Sequence, residues 1–255
     1  MTVTAAPADA AVALRGVSKA FGQGRDRVVA LEGVDLEVAG GELVCLLGAS
    51  GCGKSTALNL MAGLDRPSAG HVDAVGRPAL MFQDAALFPW LTVQENVALP
   101  LRLAGASRAE RARRADELLE RVHLAGQGSR RPHELSGGMR QRVALARALA
   151  QDADLLLMDE PFGALDAMTR DLLHDELERL WAATGLTVVF VTHNVREAAR
   201  LGDRIVLLTS RPGRVAEVFA VDIPRPRRID SPEVSALAAT VTDRLRAEVG
   251  RHGRR

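Results

Sequence analysis

The sequence predicts an α/β fold in which a sheet buried on both faces lies between helices, with an antiparallel β portion ahead of it and a helical insertion within it. Three observations lead there. Short continuous apolar runs, "ELVCLL" after Gly40-Gly41, "LLLM" at 155–158 and "LTVVFV" at 186–191, suit strands covered on both sides, as in a parallel sheet. Helical stretches adjoin these runs, and alternation of the two element types is the pattern of an α/β layer architecture. Between Val12 and Val38 the pattern is different: Val34, Leu36 and Val38 alternate with acidic or small residues, as in half-buried antiparallel strands.

Along the chain, residues 12–38 read as the antiparallel portion, and 42–84 with 151–225 as the α/β core. No comparable buried strand is legible in 85–150, which reads as a helical subdomain. Within it Ser107 and Glu110 have the spacing of a capping box, and Ala109, Ala112, Leu119 and Val122 continue as a helical stripe. Leu172, Leu173, Leu177, Leu180 and Trp181 form one face of a helix between two apolar runs. Beyond Gly202, "RIVLL", the turn "SRPGR" and "VAEVFAV" predict a hairpin. The tail, 226–255, carries a last helix with Ser231 as N-cap, Pro232 in its first turn, and Val234, Leu237, Val241 and Leu245 on one face.

With 255 residues the chain can bury a sizeable core in one large domain. Its 33 basic and 32 acidic side chains nearly cancel, so no global field points to nucleic acid or to an anionic membrane. Of the basic residues only Lys19 and Lys54 are lysine, a skew that makes each lysine conspicuous. Cys45 and Cys52 are too few and wrongly spaced for a zinc site, and a reducing compartment is expected. The first sixteen residues lack the basic segment of a secretory signal. No apolar run approaches the roughly 18 residues of a membrane span, so the chain is expected to be soluble.

"GASGCGKST", Gly48 to Thr56, matches G-x-x-x-x-G-K-[ST] and lies between a buried strand and a helix. Glycines let such a loop wrap a phosphate closely, so that backbone N–H groups, the helix dipole and Lys54 act on the same oxygens, while the Ser55 hydroxyl serves Mg²⁺. "LLLMDEP" ends a second buried strand in Asp159 and Glu160. Beside a phosphate loop, Asp159 can hold the Mg²⁺ shell and Glu160 can polarise a water for attack on a γ-phosphate; alone, the pair is also a common acidic turn. "LSGGM", Leu135 to Met139, opens a helix with bare N–H groups, which suits either an anion or a plain N-cap with a tight turn. His193, after "VVFVT", is placed to meet a γ-phosphate or to be structural. Leu87, Phe88, Trp90 and Leu91 cluster around Pro89 in a chain that is 3% aromatic; they read as core or as a socket for a partner helix.

"GASGCGKST", Gln83 in "MFQD", "LSGGM", "LLLMDEP", "GALD" at 163–166 and "THN" at 192–194 together, in order and spacing, resemble the ATP-binding subunit of ABC transporters. The resemblance covers nearly the whole chain. It implies a P-loop NTPase of ABC type with a RecA-like core, ATP and Mg²⁺ as cofactors, and roles for matched positions. Phe21 would stack on adenine. Gly48, Ala49, Ser50, Gly51, Cys52, Gly53, Lys54, Ser55 and Thr56 would bind ATP. Ser55, Gln83 and Asp159 would serve Mg²⁺, with Gln83 also sensing the γ-phosphate. Glu160 would act as general base and His193 would stabilise the transition state.

The resemblance further implies a head-to-tail homodimer, in which Leu135, Ser136, Gly137, Gly138 and Met139 meet the partner's nucleotide and Asp166 lies across the interface. Phe21, Met139 and Asn194 stand where many members have Tyr, Gln and Asp. The other partners implied are two transmembrane permease subunits and, indirectly, a periplasmic or lipoprotein solute-binding protein, with the chain peripheral on the cytoplasmic face of the cell membrane. "MFQDAALFPWLTVQENVALPLRLAG" and "LLTSRPGRV" are similar to the nitrate, sulfonate and taurine importer group, aliphatic sulfonate first, with nitrate, taurine or bicarbonate as alternatives. A soluble ABC-type ATPase of DNA repair or translation would carry two cassettes or a long coiled-coil insertion, and neither is legible. A module that binds ATP without turnover fits poorly with Glu160 and His193.

Overall fold

The computed structural model describes residues 10–163 and 165–252. The first nine residues, part of the stretch read as lacking a secretory signal, Ala164 of "GALD" and the last three of the tail lie outside the described residues.

β1 (Ala10–Phe21) and β2 (Val28–Ala39) pair antiparallel, Leu14 opposite Leu36, and turn their alternate valines and leucines to one buried face. β3 (Leu43–Leu47) runs into α1 (Lys54–Met61). The sequence assigns all of 42–84 to the α/β core, but β4 (Ala69–Ala74) within it pairs antiparallel with β1 and completes a three-stranded sheet, order β2-β1-β4. Only Val72 in β4 is even half-buried, so no apolar pattern announces it. The chain continues through β5 (Pro78–Met81), α2 (Val93–Leu103), α3 (Arg108–Arg121), α4 (Gly137–Leu149), β6 (Leu155–Asp159), α5 (Ala167–Thr184), β7 (Thr187–Thr192), α6 (Val195–Leu201), β8 (Arg204–Leu208), β9 (Val215–Ala220) and α7 (Pro232–His252).

A second sheet has the order β5-β6-β7-β3-β8-β9, parallel throughout except for β9, the return strand of the hairpin. Its side chains alternate between two cores with the period of a strand. Leu43, Cys45, Leu47, Met158, Phe190 and Leu207 face one core, which α2 to α7 help to build. Val44, Leu46, Leu157, Val191 and Val206 face the other, where α1 is held against the antiparallel sheet. Burial on both faces is the reason these strands appear in the sequence as unbroken apolar runs. Both cysteines are free and buried.

The helical segment departs from expectation in two details. Ser107 caps α3 by accepting from the Glu110 amide at 3.2 Å, but the Glu110 carboxylate is taken by Arg113, so only half of the box forms. The complete box is at Thr92 and Glu95, opening α2. Ala109 is exposed, and the buried face of α3 is Ala115, Leu118 and Leu119, continued by Val122. On α5 the expected face holds for Leu173, Leu177 and Leu180, whereas Leu172 is exposed. In both cases the neighbouring elements cover a narrower stripe than hydrophobicity alone suggests. α7 forms with Ser231 accepting from the Val234 amide, and buries Val234 and Val241. No helix among the described residues is long and apolar enough to cross a membrane.

Candidate active site

β3, β6, β7 and β8 all end at the same edge of the parallel sheet, where open α/β sheets place ligands. The loop after β3 needs its glycines. Gly51 and Gly53 have φ of 76° and 98°, a region side chains rarely adopt. A Cβ on Gly53 would also lie 2.6 Å from Leu31 and 2.8 Å from the Ala30 carbonyl. Gly53 caps α1 with no side-chain acceptor, leaving the first amides of the helix to a ligand at its positive end. Lys54 is only 5% exposed, and its Nζ donates to the Gly48 and Ala49 carbonyls at 2.8 and 3.1 Å. Cys52 turns its thiol into the core under the loop, and burial raises that thiol's pKa; it can serve a phosphate through its backbone alone.

A cleft of about 310 Å³ opens over this loop, lined by Phe21, Val28 and Ala30, by Ser50, Gly51, Gly53, Lys54, Ser55 and Thr56 of the loop and the start of α1, and by Gln83, Glu160 and Arg211. Phe21 is exposed, with the Lys19 ammonium 5.0 Å from its ring centroid. Ser55 hydrogen-bonds the Asp159 carboxylate, which burial pushes above the usual carboxylate range while the Ser55 bond pulls it back. Neighbouring hydroxyl and carboxylate oxygens are the hard donors that Mg²⁺ prefers, so these residues fit the ion.

Glu160 follows β6 with φ of 44°, a left-handed conformation that costs a non-glycine residue about 1–3 kcal/mol. Its amide donates to the Val191 carbonyl at 3.0 Å, which ties it to β7. Its carboxylate stands 3.9 Å from Lys54 Nζ and 2.9 Å from His193 Nδ1. His193 is presented by a brace on either side. The Asn194 amide donates to Thr192 Oγ1 at 2.9 Å, and Thr192 Oγ1 in turn donates to buried Glu197. Asn194 caps α6 through Oδ1, accepting from the amides of Arg196 and Glu197, so asparagine serves the helix start here.

The stretch Leu135 to Met139 is elsewhere. Ser136 caps α4, its Oγ accepting from the Met139 amide at 3.3 Å, and it is exposed while Leu135 is buried. Neither lines the cleft that holds Lys54. Gly138 lets the start of α4 sit against α5, since a Cβ there would be 2.9 Å from Thr169 Cγ2. Asp166 caps α5 by accepting from the Thr169 amide, which holds its carboxyl below the usual range. The stretch after Gln83 is clasped to α4: Gln141 donates to the Gln83 carbonyl at 2.7 Å, and Arg147 donates to the carbonyls of Ala85 and Ala86. Asn96, fully buried, bonds Phe88 through both amide and carbonyl and also the Leu91 and Thr92 carbonyls. That network leaves Phe88 and Trp90 outside the core, 37% and 66% exposed, with their rings 5.5 Å apart.

Sequence reasoning missed Arg211, Val28 and Ala30. Arg211 was legible only as part of a turn. The available signal was its place after β8, a strand that adjoins β3 and so delivers its loop beside the phosphate loop.

A parallel sheet whose glycine-rich strand-to-helix loop meets a strand-end Asp-Glu pair defines a P-loop nucleotide-binding protein. The chain belongs to the ABC transporter family, whose sequence profile matches residues 31–163. It is 53% identical to the taurine import ATP-binding protein of Mesorhizobium japonicum over 74% of this chain and 77% of that one. To the aliphatic sulfonates import ATP-binding protein of Bacillus licheniformis it is 43% identical over 87% and 89%. Among solved structures, a dimeric ATP-binding cassette in a post-hydrolysis state with ADP and phosphate superposes with a TM-score of 0.77 at 35% identity, covering 84% of this chain and all of that one.

Proposed function

We propose that the chain is the ATP-hydrolysing subunit of an ABC importer, acting as a head-to-tail homodimer on the cytoplasmic face of the membrane beneath two permease subunits. The observation that carries this is the convergence of Lys54 and His193 on the Glu160 carboxylate, which lines the cleft over the loop 48–56. ATP lies with adenine on Phe21 and phosphates in the loop 48–56. Glu160 takes a proton from water, the hydroxyl attacks the γ-phosphorus, and the bond to the ADP oxygen breaks. His193, donating from Nδ1 to Glu160, keeps that carboxylate oriented and puts its own ring beside the reacting phosphate. Ser55, Gln83 and Asp159 would hold Mg²⁺, which would supply charge neutralisation on the phosphates.

What supports the dimer is that Ser136 and its helix N-terminus are exposed away from the cleft of their own chain. In a two-fold pair each would face the other's nucleotide. Replacing Ser136 by Glu should spare nucleotide binding by the monomer and remove turnover. Mixed with a Lys54→Ala variant it forms heterodimers with one doubly defective site and one intact composite site, and part of the ATPase activity should return. Absence of any recovery, with heterodimers verified by mass, argues against a composite site that fires alone.

The exposed Phe88–Trp90 pair on a loop ordered by Asn96 supports a permease socket, since desolvated aromatic anchors carry much of an interface's energy. For the solute, similarity to proteins named for taurine, itself a sulfonate, and for aliphatic sulfonates favours a sulfonate. The solute is bound by the solute-binding protein and permease, not by this chain. A strain whose only copy carries Phe88→Ala and Trp90→Ala should lose growth on an aliphatic sulfonate as sole sulfur source, keep growth on sulfate, and no longer co-purify the permease. The isolated variant should keep its parental ATP affinity and melting temperature. Unfolding or lost ATP binding would assign the pair to the core; a growth defect on nitrate or bicarbonate instead would reassign the solute.

A further inference from the structure

The turn between β8 and β9 carries two arginines with different fates. Arg214 is neutralised by Glu32 at 2.6 Å. Arg211 takes part in none of the ion pairs formed among the described residues, and its one polar contact is a long hydrogen bond from Nε to the Gly51 carbonyl, at 3.4 Å. Yet it lines the cleft, where, among the described residues, the only other cationic lining side chain is Lys54.

The turn is held firmly enough to aim it. Thr209 Oγ1 donates to the Pro212 carbonyl and accepts from the Arg214 amide. The Gly213 amide donates to the Ala30 carbonyl, and the Glu32 amide donates back to Gly213. Gly213 lies so close to the phosphate loop that a Cβ there would be 2.1 Å from the Cys52 carbonyl. An arginine anchored at both sides of its turn, with an uncompensated charge facing a phosphate loop, has the fork geometry that suits phosphate oxygens. We propose that Arg211 is a ligand of the nucleotide's phosphate chain, reaching it from beside Gly51. This rests on the cleft being the nucleotide site.

The test measures ADP affinity of the full chain with Mg²⁺ for the parent, Arg211→Ala, Arg211→Gln and Lys54→Ala. ADP is used because a γ-phosphate is not needed for the contact. Both Arg211 variants should bind ADP about fivefold or more weakly, the size of one partly solvated charge-assisted contact. Glutamine keeps a donor for Gly51 and a fold control, so a shared loss identifies the charge as the cause. The gap to the parent should narrow as salt rises. Affinity within about twofold of the parent in Arg211→Gln overturns the proposal, as does intact ADP binding with loss of ATP-driven dimerisation alone, which would assign Arg211 to the second copy. Lys54→Ala separates the two readings: if it loses ADP while the Arg211 variants do not, the nucleotide cleft stands and only the arginine contact falls.

Discussion

Glu160→Gln should slow ATP hydrolysis by about 10²-fold or more, as loss of a general base does, while leaving ATP binding at the parental level or above. Glutamine preserves the size of the side chain and can still accept from His193 Nδ1, so the contact at 2.9 Å and the left-handed backbone are not disturbed. What disappears is the proton acceptor and a negative charge 3.9 Å from Lys54. That charge would otherwise repel the phosphates that Lys54 is proposed to hold, and its removal favours the bound state. The variant should therefore accumulate as an ATP-bound dimer, visible by size-exclusion chromatography with ATP and Mg²⁺. A purely monomeric elution, or hydrolysis within tenfold of the parent, would remove Glu160 from the proposed role.

Lys54→Ala should abolish ATP binding. The ammonium is buried, and what holds it there is the pair of carbonyls at Gly48 and Ala49 together with Glu160. No other residue of the loop is cationic, and a point charge spanning the β- and γ-phosphates is lost from a loop whose remaining donors are neutral N–H and hydroxyl groups. Titration with a fluorescent ATP analogue gives the measure, with circular dichroism to show that the fold persists. An affinity within about twofold of the parent would contradict the assignment of the loop to phosphate.

The parts of the molecule legible in the sequence are those whose residue types are forced by backbone geometry or by burial on every side. Gly51 must be glycine for reasons of φ, Gly53 for φ and for its contact with β2, and β3, β6 and β7 must be apolar without interruption because both sheet faces are covered. β4 is hidden because its pairing is with β1 through backbone bonds, on an exposed edge that asks nothing of its side chains. The half-formed box at Ser107 was over-read because spacing cannot tell which partner a carboxylate chooses, and Arg113 competes for Glu110. Within the cleft, Phe21, Gln83 and Glu160 were named from the sequence and lie together on its walls. Arg211 was not, because its position depends on β8 being the neighbour of β3, a tertiary adjacency across more than 150 residues that no local pattern encodes.

The clasp between α4 and the stretch after Gln83 has a thermodynamic consequence. Ser136 stands at one end of α4, and Gln141 and Arg147 further along the same helix grip the carbonyls of Gln83, Ala85 and Ala86. A single rigid body thus bears the surface proposed to meet the opposing nucleotide and the anchor of the loop that presents Phe88 and Trp90. Linkage between two such sites is reciprocal: whatever free energy nucleotide capture spends on shifting the loop, a load on the loop returns to nucleotide capture in equal measure. A permease seated on the loop would then act as an effector of its own motor, setting how tightly ATP is held before any of it is hydrolysed.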